Sequence, residues 1–277
     1  MPLDFNGKPV LITGASMGIG KGLSSCFARD GAYLFLTDLP SREEALRQWA
    51  DELEKTCGIS TWTFCLDLTE PNGPETLYRE VISAVGALHT LVNNAGVCTY
   101  GRFDLMDPGR IEKMVLLNCM AYTKLMRLFL PAMIERDEGG ILNVSSVSAF
   151  QPLPSLAIYA ASKAFTQSLT EAVASELPWK SRVRVATINP PFTQTGLISD
   201  AGFPTDFIPF SISMKPIEEV ARLGYRAFKN GRLFYVHGWQ NKILYLCVGK
   251  ILPRRAKNLT AWICMRAWSD LIPWRKH

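Results

Sequence analysis

Tyr159 and Lys163 stand four residues apart in Tyr159-Ala-Ala-Ser-Lys163. On a helix, that spacing puts both side chains on one face. A phenol titrates near ~10 and is a poor acid or base at neutral pH. A fixed ammonium beside it favours the phenolate and lowers that value. The pair is therefore suited to passing a proton to or from an oxygen. Ser146 lies thirteen residues earlier and places a hydroxyl just after the apolar run Gly140–Val144.

A second constellation is Thr13-Gly14-Ala15-Ser16-Met17-Gly18-Ile19-Gly20. Gly14 permits a tight turn, Gly18 lets backbone approach a pyrophosphate, and Gly20 lets a helix pack on a strand. A helix starting here offers free N–H groups and a positive dipole end to phosphate. Asp38 follows about 20 residues on, where a carboxylate can accept from both adenosine ribose hydroxyls and would repel a 2′-phosphate. Met17 and Leu39 are neutral, and Arg42 is the one cation nearby. The expected cofactor is NAD, ahead of NADP.

Such side chains need a frame. Short β-rich apolar runs at Pro9–Ile12, Tyr33–Thr37, Thr61–Leu66, Ala87–Val92, Gly140–Val144, Val183–Ile188 and Leu233–Val236 read as strands. Between them, Gly18–Arg29, Ser41–Thr56, Glu75–Val85, Pro108–Arg136, Ile158–Leu177 and Pro216–Lys229 read as helices. Strands alternating with helices of this length imply βαβ units. The expected fold class is α/β: one doubly wound, Rossmann-type parallel sheet with helices on both faces. Ligands in such folds sit at the carboxyl ends of the strands, where both constellations fall.

The 277 residues, 48% hydrophobic and 20% charged, suit one large α/β domain. We expect this domain over residues 1–238, with a substrate lid at 192–215. Seven scattered cysteines without a CxxC pair read as reduced thiols in a cytosolic protein and not as a zinc or disulfide framework. The first residues do not read as a signal peptide, and no apolar run is long enough to span a bilayer. The net charge of +5 is uneven: from Lys229 onward there are ten Lys or Arg and one acid, Asp270. Residues 239–277 form a basic tail holding four of the seven tryptophans. Interleaved Trp, aliphatic and basic residues fit peripheral contact with acidic lipid. They equally fit a segment packed on the body or roofing the pocket. A nucleic-acid binder would rest on this tail alone, and no nucleic acid is expected as a partner.

Taken together, the glycine turn, Asn93-Asn94-Ala95-Gly96, Ser146 and Tyr159-Ala-Ala-Ser-Lys163 closely resemble the short-chain dehydrogenase/reductase family in order and spacing, over roughly residues 5 to 236. The resemblance implies an oxidoreductase moving a hydride between a nicotinamide dinucleotide and an alcohol or carbonyl carbon. Tyr159 would be the general acid/base, Ser146 would hold the substrate oxygen, and Lys163 would bind the nicotinamide ribose. Asn118 matches the helix asparagine that positions a relay water. Asp67 and Leu68 resemble the pair that touches adenine, and Asn94, with Ala95 and Gly96, lies where the fourth strand approaches adenosine. Ile188, Pro190, Thr193 and Thr195 would approach the nicotinamide. The family usually has Pro-Gly where this chain has Pro190-Pro191. The apolar lid points to a lipophilic substrate, a sterol, fatty or other hydrophobic alcohol or ketone. Apolar residues beyond one stripe on the two long helices point to a homodimer or homotetramer. The other readings are a non-catalytic dinucleotide sensor or scaffold and a peripheral-membrane reductase using NADP(H).

Overall fold

The structure is a computed structural model that describes residues 2–191, 193 and 215–238, with isolated positions at 242, 253, 255, 256 and 259. Nearly all of the expected lid (192–215) and tail (239–277) lies outside the described residues.

Seven strands form one sheet: β1 (Pro9–Thr13), β2 (Tyr33–Asp38), β3 (Thr61–Cys65), β4 (Thr90–Asn93), β5 (Gly140–Val144), β6 (Arg184–Asn189) and β7 (Phe234–Val236). Their order is β3-β2-β1-β4-β5-β6-β7, with every neighbouring pair parallel. Parallel strands need crossover connections, and the helices supply them: α1 (Gly18–Arg29), α2 (Glu43–Cys57), α3 (Gly73–Val85), α4 (Pro108–Val115), α5 (Tyr122–Arg136), α6 (Ala157–Glu176) and, among the described residues, a last helix α7 (Ile217–Lys229).

Both sheet faces are covered, so β1 and β5 are buried at every position. Alternate β1 side chains serve opposite layers. Val10 and Ile12 pack with Leu23 and Phe27 of α1, Trp49 and Leu53 of α2, and Phe228 of α7. Leu11 packs on the other face with Leu77 of α3 and Leu125 and Phe129 of α5. β1 lies between β2 and β4, so the chain order reverses there and opens a crevice at their carboxyl ends.

Two expectations shift. β4 starts at Thr90 instead of Ala87, because residues 86–89 turn, with Ala87 N–H donating to Val85 O at 2.8 Å. The helix expected over Pro108–Arg136 has one wide π-type turn at Leu116–Ala121 that separates α4 from α5. Such a turn adds a residue to the helical ladder and re-aims the side chains in it.

Candidate active site

The Thr13 hydroxyl at the end of β1 accepts the N–H groups of Asn94 and Ala95, both at 2.9 Å. Asn94 Nδ2 returns bonds to Thr13 O at 2.9 Å and Gly14 O at 3.0 Å. These bonds strap the end of β4 to the glycine turn. A Cβ on Gly14 would come within 2.9 Å of Ala95 Cα, and one on Gly20 within 2.1 Å of Gly14 O, so the turn is closed to larger residues. Met17 precedes α1 in extended conformation and gives its first turn no side-chain cap, leaving helix N–H groups for an anion.

Asp38 Oδ2 accepts from Ser16 N–H at 3.0 Å and Ser16 Oγ at 2.6 Å, while Oδ1 accepts from Leu39 N–H at 2.9 Å. Arg42 reaches the Met17 sulfur, so a carboxylate and a guanidinium share the rim of the adenosine end. Asp67 lies between Leu66 and Leu68, which line the cleft, and pairs with Lys113, which lines it too. Its Oδ1 accepts from the N–H and hydroxyl of Thr69 at 2.9 and 2.7 Å, and its Oδ2 lies 3.5 Å from Lys113 Nζ. Despite the burial that opposes ionisation, these partners hold its carboxyl below the usual carboxylate range.

At the other end, α6 carries Tyr159, Ser162 and Lys163, all buried. Lys163 Nζ donates to Val144 O at 2.9 Å and lies 5.8 Å from the Tyr159 ring. Ser146 lines the cleft with Tyr159 and donates to Ser148 Oγ at 3.1 Å. Ser145 Oγ donates to Lys163 O at 2.8 Å, fixing α6 to the end of β5. Burial pushes the Tyr159 phenol up and draws the Lys163 ammonium down to about 8. Cys98 stands next to both, its thiol pushed up to about 12 by burial.

Asn118 sits in the wide turn, fully buried. Its Oδ1 accepts Val97 N–H at 3.0 Å, and its Nδ2 donates to Val97 O at 2.9 Å and Ser162 Oγ at 3.1 Å. Its own carbonyl accepts Thr166 Oγ1 at 3.2 Å. The side chain thus grips the loop after β4 and links it to α6.

One cleft of about 360 Å³ joins the two ends. Of the residues singled out from the sequence, Gly14, Met17, Gly18, Ile19, Asp38, Leu68, Asn94, Ala95, Gly96, Ser146, Tyr159, Lys163, Pro190 and Thr193 line it. Ser16, Gly20, Asp67 and Asn118 are not part of its lining, and Thr195 is outside the described residues. Arg110, Lys113, Cys98 and Leu117 line the cleft without having been singled out. For Arg110, Lys113 and Leu117 a signal existed: spacings of three and four mark one helical face. The closed glycine turn, the uncapped α1 terminus and the acceptor at Asp38 fit a dinucleotide along this cleft.

A model of the short-chain dehydrogenase family matches residues 8–202. The chain is 31% identical over 240 residues to very-long-chain 3-oxoacyl-CoA reductase-B of Danio rerio, covering 84% of this chain and 74% of the relative. It is 32% identical over 200 residues to a probable oxidoreductase, EphD, of Mycobacterium tuberculosis. That match covers 72% of this chain, which spans only a third (33%) of the mycobacterial protein. The fold is similar to that of a short-chain dehydrogenase from Sphingobium yanoikuyae solved with NADPH: the TM-score is 0.77 and the identity 26%, over 98% of this chain and 96% of the other. Sequence motifs, sheet order and these likenesses agree: the chain belongs to the short-chain dehydrogenase family.

Proposed function

We propose that this protein transfers a hydride between a nicotinamide dinucleotide and an alcohol or carbonyl carbon, with Tyr159 moving the accompanying proton. The observation that carries this reading is the convergence of Ser146, Tyr159 and Lys163, with Lys163 Nζ 5.8 Å from the Tyr159 ring, at the far end of the cleft that begins at the glycine turn. The dinucleotide, when bound, supplies or accepts the hydride. Gly14, Gly18, Asp38, Asn94 and Lys163 hold it. Ser146 and Tyr159 together bind the substrate oxygen, and Tyr159 gives it a proton in reduction or removes one in oxidation. Lys163, as ammonium, favours the phenolate form of Tyr159. Asn118 supports the loop that faces the substrate.

The substrate is lipophilic. Met114 and Leu156 are buried with Tyr159, and Val97, Cys98, Tyr100 and Leu153 pack around them. An apolar wall round the proton donor suits an apolar substrate. The name of the Danio rerio relative, a very-long-chain 3-oxoacyl-CoA reductase, supports the same class. The cofactor is NAD(H), on the strength of Asp38. Arg42 on the same rim favours a second reading, NADP(H). Turnover of fatty, steroidal and small ketones with each reduced cofactor tests the proposal. No oxidation of either cofactor on any ketone would remove it.

The protein works as a dimer or tetramer. Leu117, Leu125, Met126 and Phe129 are used in its own core, but Val115, Met120 and Phe165 remain 41%, 44% and 43% exposed. A partner subunit would cover them. A monomer in light scattering at micromolar concentration would contradict this.

A further inference from the structure

Asn189 ends β6, and Pro190 and Pro191 follow as part of the cleft wall. Proline has no N–H, so this wall has no backbone donors of its own at these two positions. Its carbonyls are held instead: Pro190 O accepts Val147 N–H at 3.1 Å, and Pro191 O accepts Thr193 Oγ1 at 3.0 Å. One residue earlier a side chain takes over. Asn189 Nδ2 donates to Gln167 Oε1 at 3.0 Å and to Tyr235 O at 3.4 Å. The same Gln167 oxygen accepts Thr187 Oγ1 at 2.9 Å. Thr187 and Asn189, two apart on β6, point to one sheet face, and a single oxygen on α6 meets both.

Gln167 is buried one helical turn beyond Lys163, on the same face of α6. Its Nε2 donates to Glu171 Oε1 at 2.7 Å, which orients the amide so that Oε1 faces the strand. Asn189 Oδ1 is buried without a partner among the described residues, so the Nδ2 bonds are what anchor this side chain.

We infer that Gln167 is a positioning residue that fixes the end of β6, and with it the Pro190–Pro191 wall, relative to Tyr159 and Lys163. The inference rests on the proposed dinucleotide reading. It concerns the nicotinamide half of the cleft alone, since Asp38 and the glycine turn belong to β2 and the β1–α1 connection across the sheet.

The test compares wild type with Gln167→Leu, Asn189→Ala, the double variant and Glu171→Gln. NADH or NADPH, whichever binds tighter, is titrated while the emission of the bound reduced nicotinamide is recorded, and turnover is measured on the best ketone found. Both single variants should change the bound-cofactor emission and lower kcat at least ~10-fold, while Kd moves less than ~3-fold. The double variant should lose less than the two single losses combined, because the two residues share the Nδ2–Oε1 contact. Glu171→Gln should behave as wild type. Emission and kcat like wild type in both single variants, or additive losses in the double one, would overturn the inference. If Gln167→Leu does not fold, Asn189→Ala carries the same comparison. A wild type that binds cofactor but turns nothing over would defeat the proposed function, and the emission change would still decide the role of Gln167.

Discussion

Asp38 and Ser16 are joined twice, through the Ser16 N–H at 3.0 Å and its hydroxyl at 2.6 Å, both to the same carboxylate oxygen. The carboxylate is thereby held at the cleft rim as a fixed acceptor. Wild-type protein should bind NAD(H) at least ~10-fold more tightly than NADP(H), since a fixed carboxylate repels a 2′-phosphate. Asp38→Ala should narrow that ratio. Binding titrations with both cofactors check it, and a wild-type preference for NADP(H) would give the rim to Arg42.

Gly20 should tolerate no side chain. A methyl there would stand 2.1 Å from Gly14 O and 2.4 Å from Asn94 Nδ2, both part of the strap between β1 and β4. Gly20→Ala should cost ~1–3 kcal/mol by overpacking and abolish measurable dinucleotide binding. Denaturant unfolding and cofactor titration read the two effects separately, and a variant that binds cofactor normally would show that the turn is looser than described.

Lys163 gives a pH signature. Its folded value is drawn from 10.5 down to about 8 by burial. Below pH 8 the amine is charged in folded and unfolded states alike, and the burial penalty is fully present. Between about 8 and 10.5 the folded protein releases this proton while the unfolded chain keeps it, so the penalty fades as pH rises. Relative to Lys163→Met, wild type should therefore gain stability across that window in the absence of cofactor. Thermal midpoints of both proteins on each side of the window measure it, and a gap that does not change with pH would show that Lys163 titrates at its ordinary value.

Asn118 spends its whole amide on Val97 and Ser162. Asn118→Leu leaves the Val97 N–H and carbonyl without these partners and should destabilise the fold by ~1–3 kcal/mol. It should also lower turnover, because Val97 and Cys98 line the cleft beside Tyr159. Unfolding curves and kcat check both. Unchanged stability would mean that the loop after β4 is held elsewhere.

Much of this was readable in the chain. Strand and helix periodicity placed all seven strands and the six long helical stretches, because hydrophobic spacing is a local property. The glycine turn, Asp38, Ser146, Tyr159 and Lys163 fall in one cleft because each is tied to a strand's carboxyl end or the helix start that follows. What stayed hidden is non-local. Leu116–Ala121 is made of ordinary helix-forming residues, so nothing announces the wide turn around Asn118. The bonds of Thr13 to Asn94, and of Gln167 to Asn189, cross more than twenty residues and become visible only once the sheet order is known. The bonds of Asp67 to Thr69 and its ion pair with Lys113 of α4 were likewise not announced by the motif.

In the proposed reaction Tyr159 moves the proton and is not needed to hold the cofactor. Tyr159→Phe removes one oxygen and leaves a ring of the same shape on α6. The measurement is kcat on the best ketone beside the Kd of the reduced dinucleotide, wild type against variant. For Tyr159→Phe, kcat should fall at least ~10²-fold, the lower range for losing a positioned acid/base, with Kd nearly unchanged. Turnover by Tyr159→Phe close to that of wild type would contradict it.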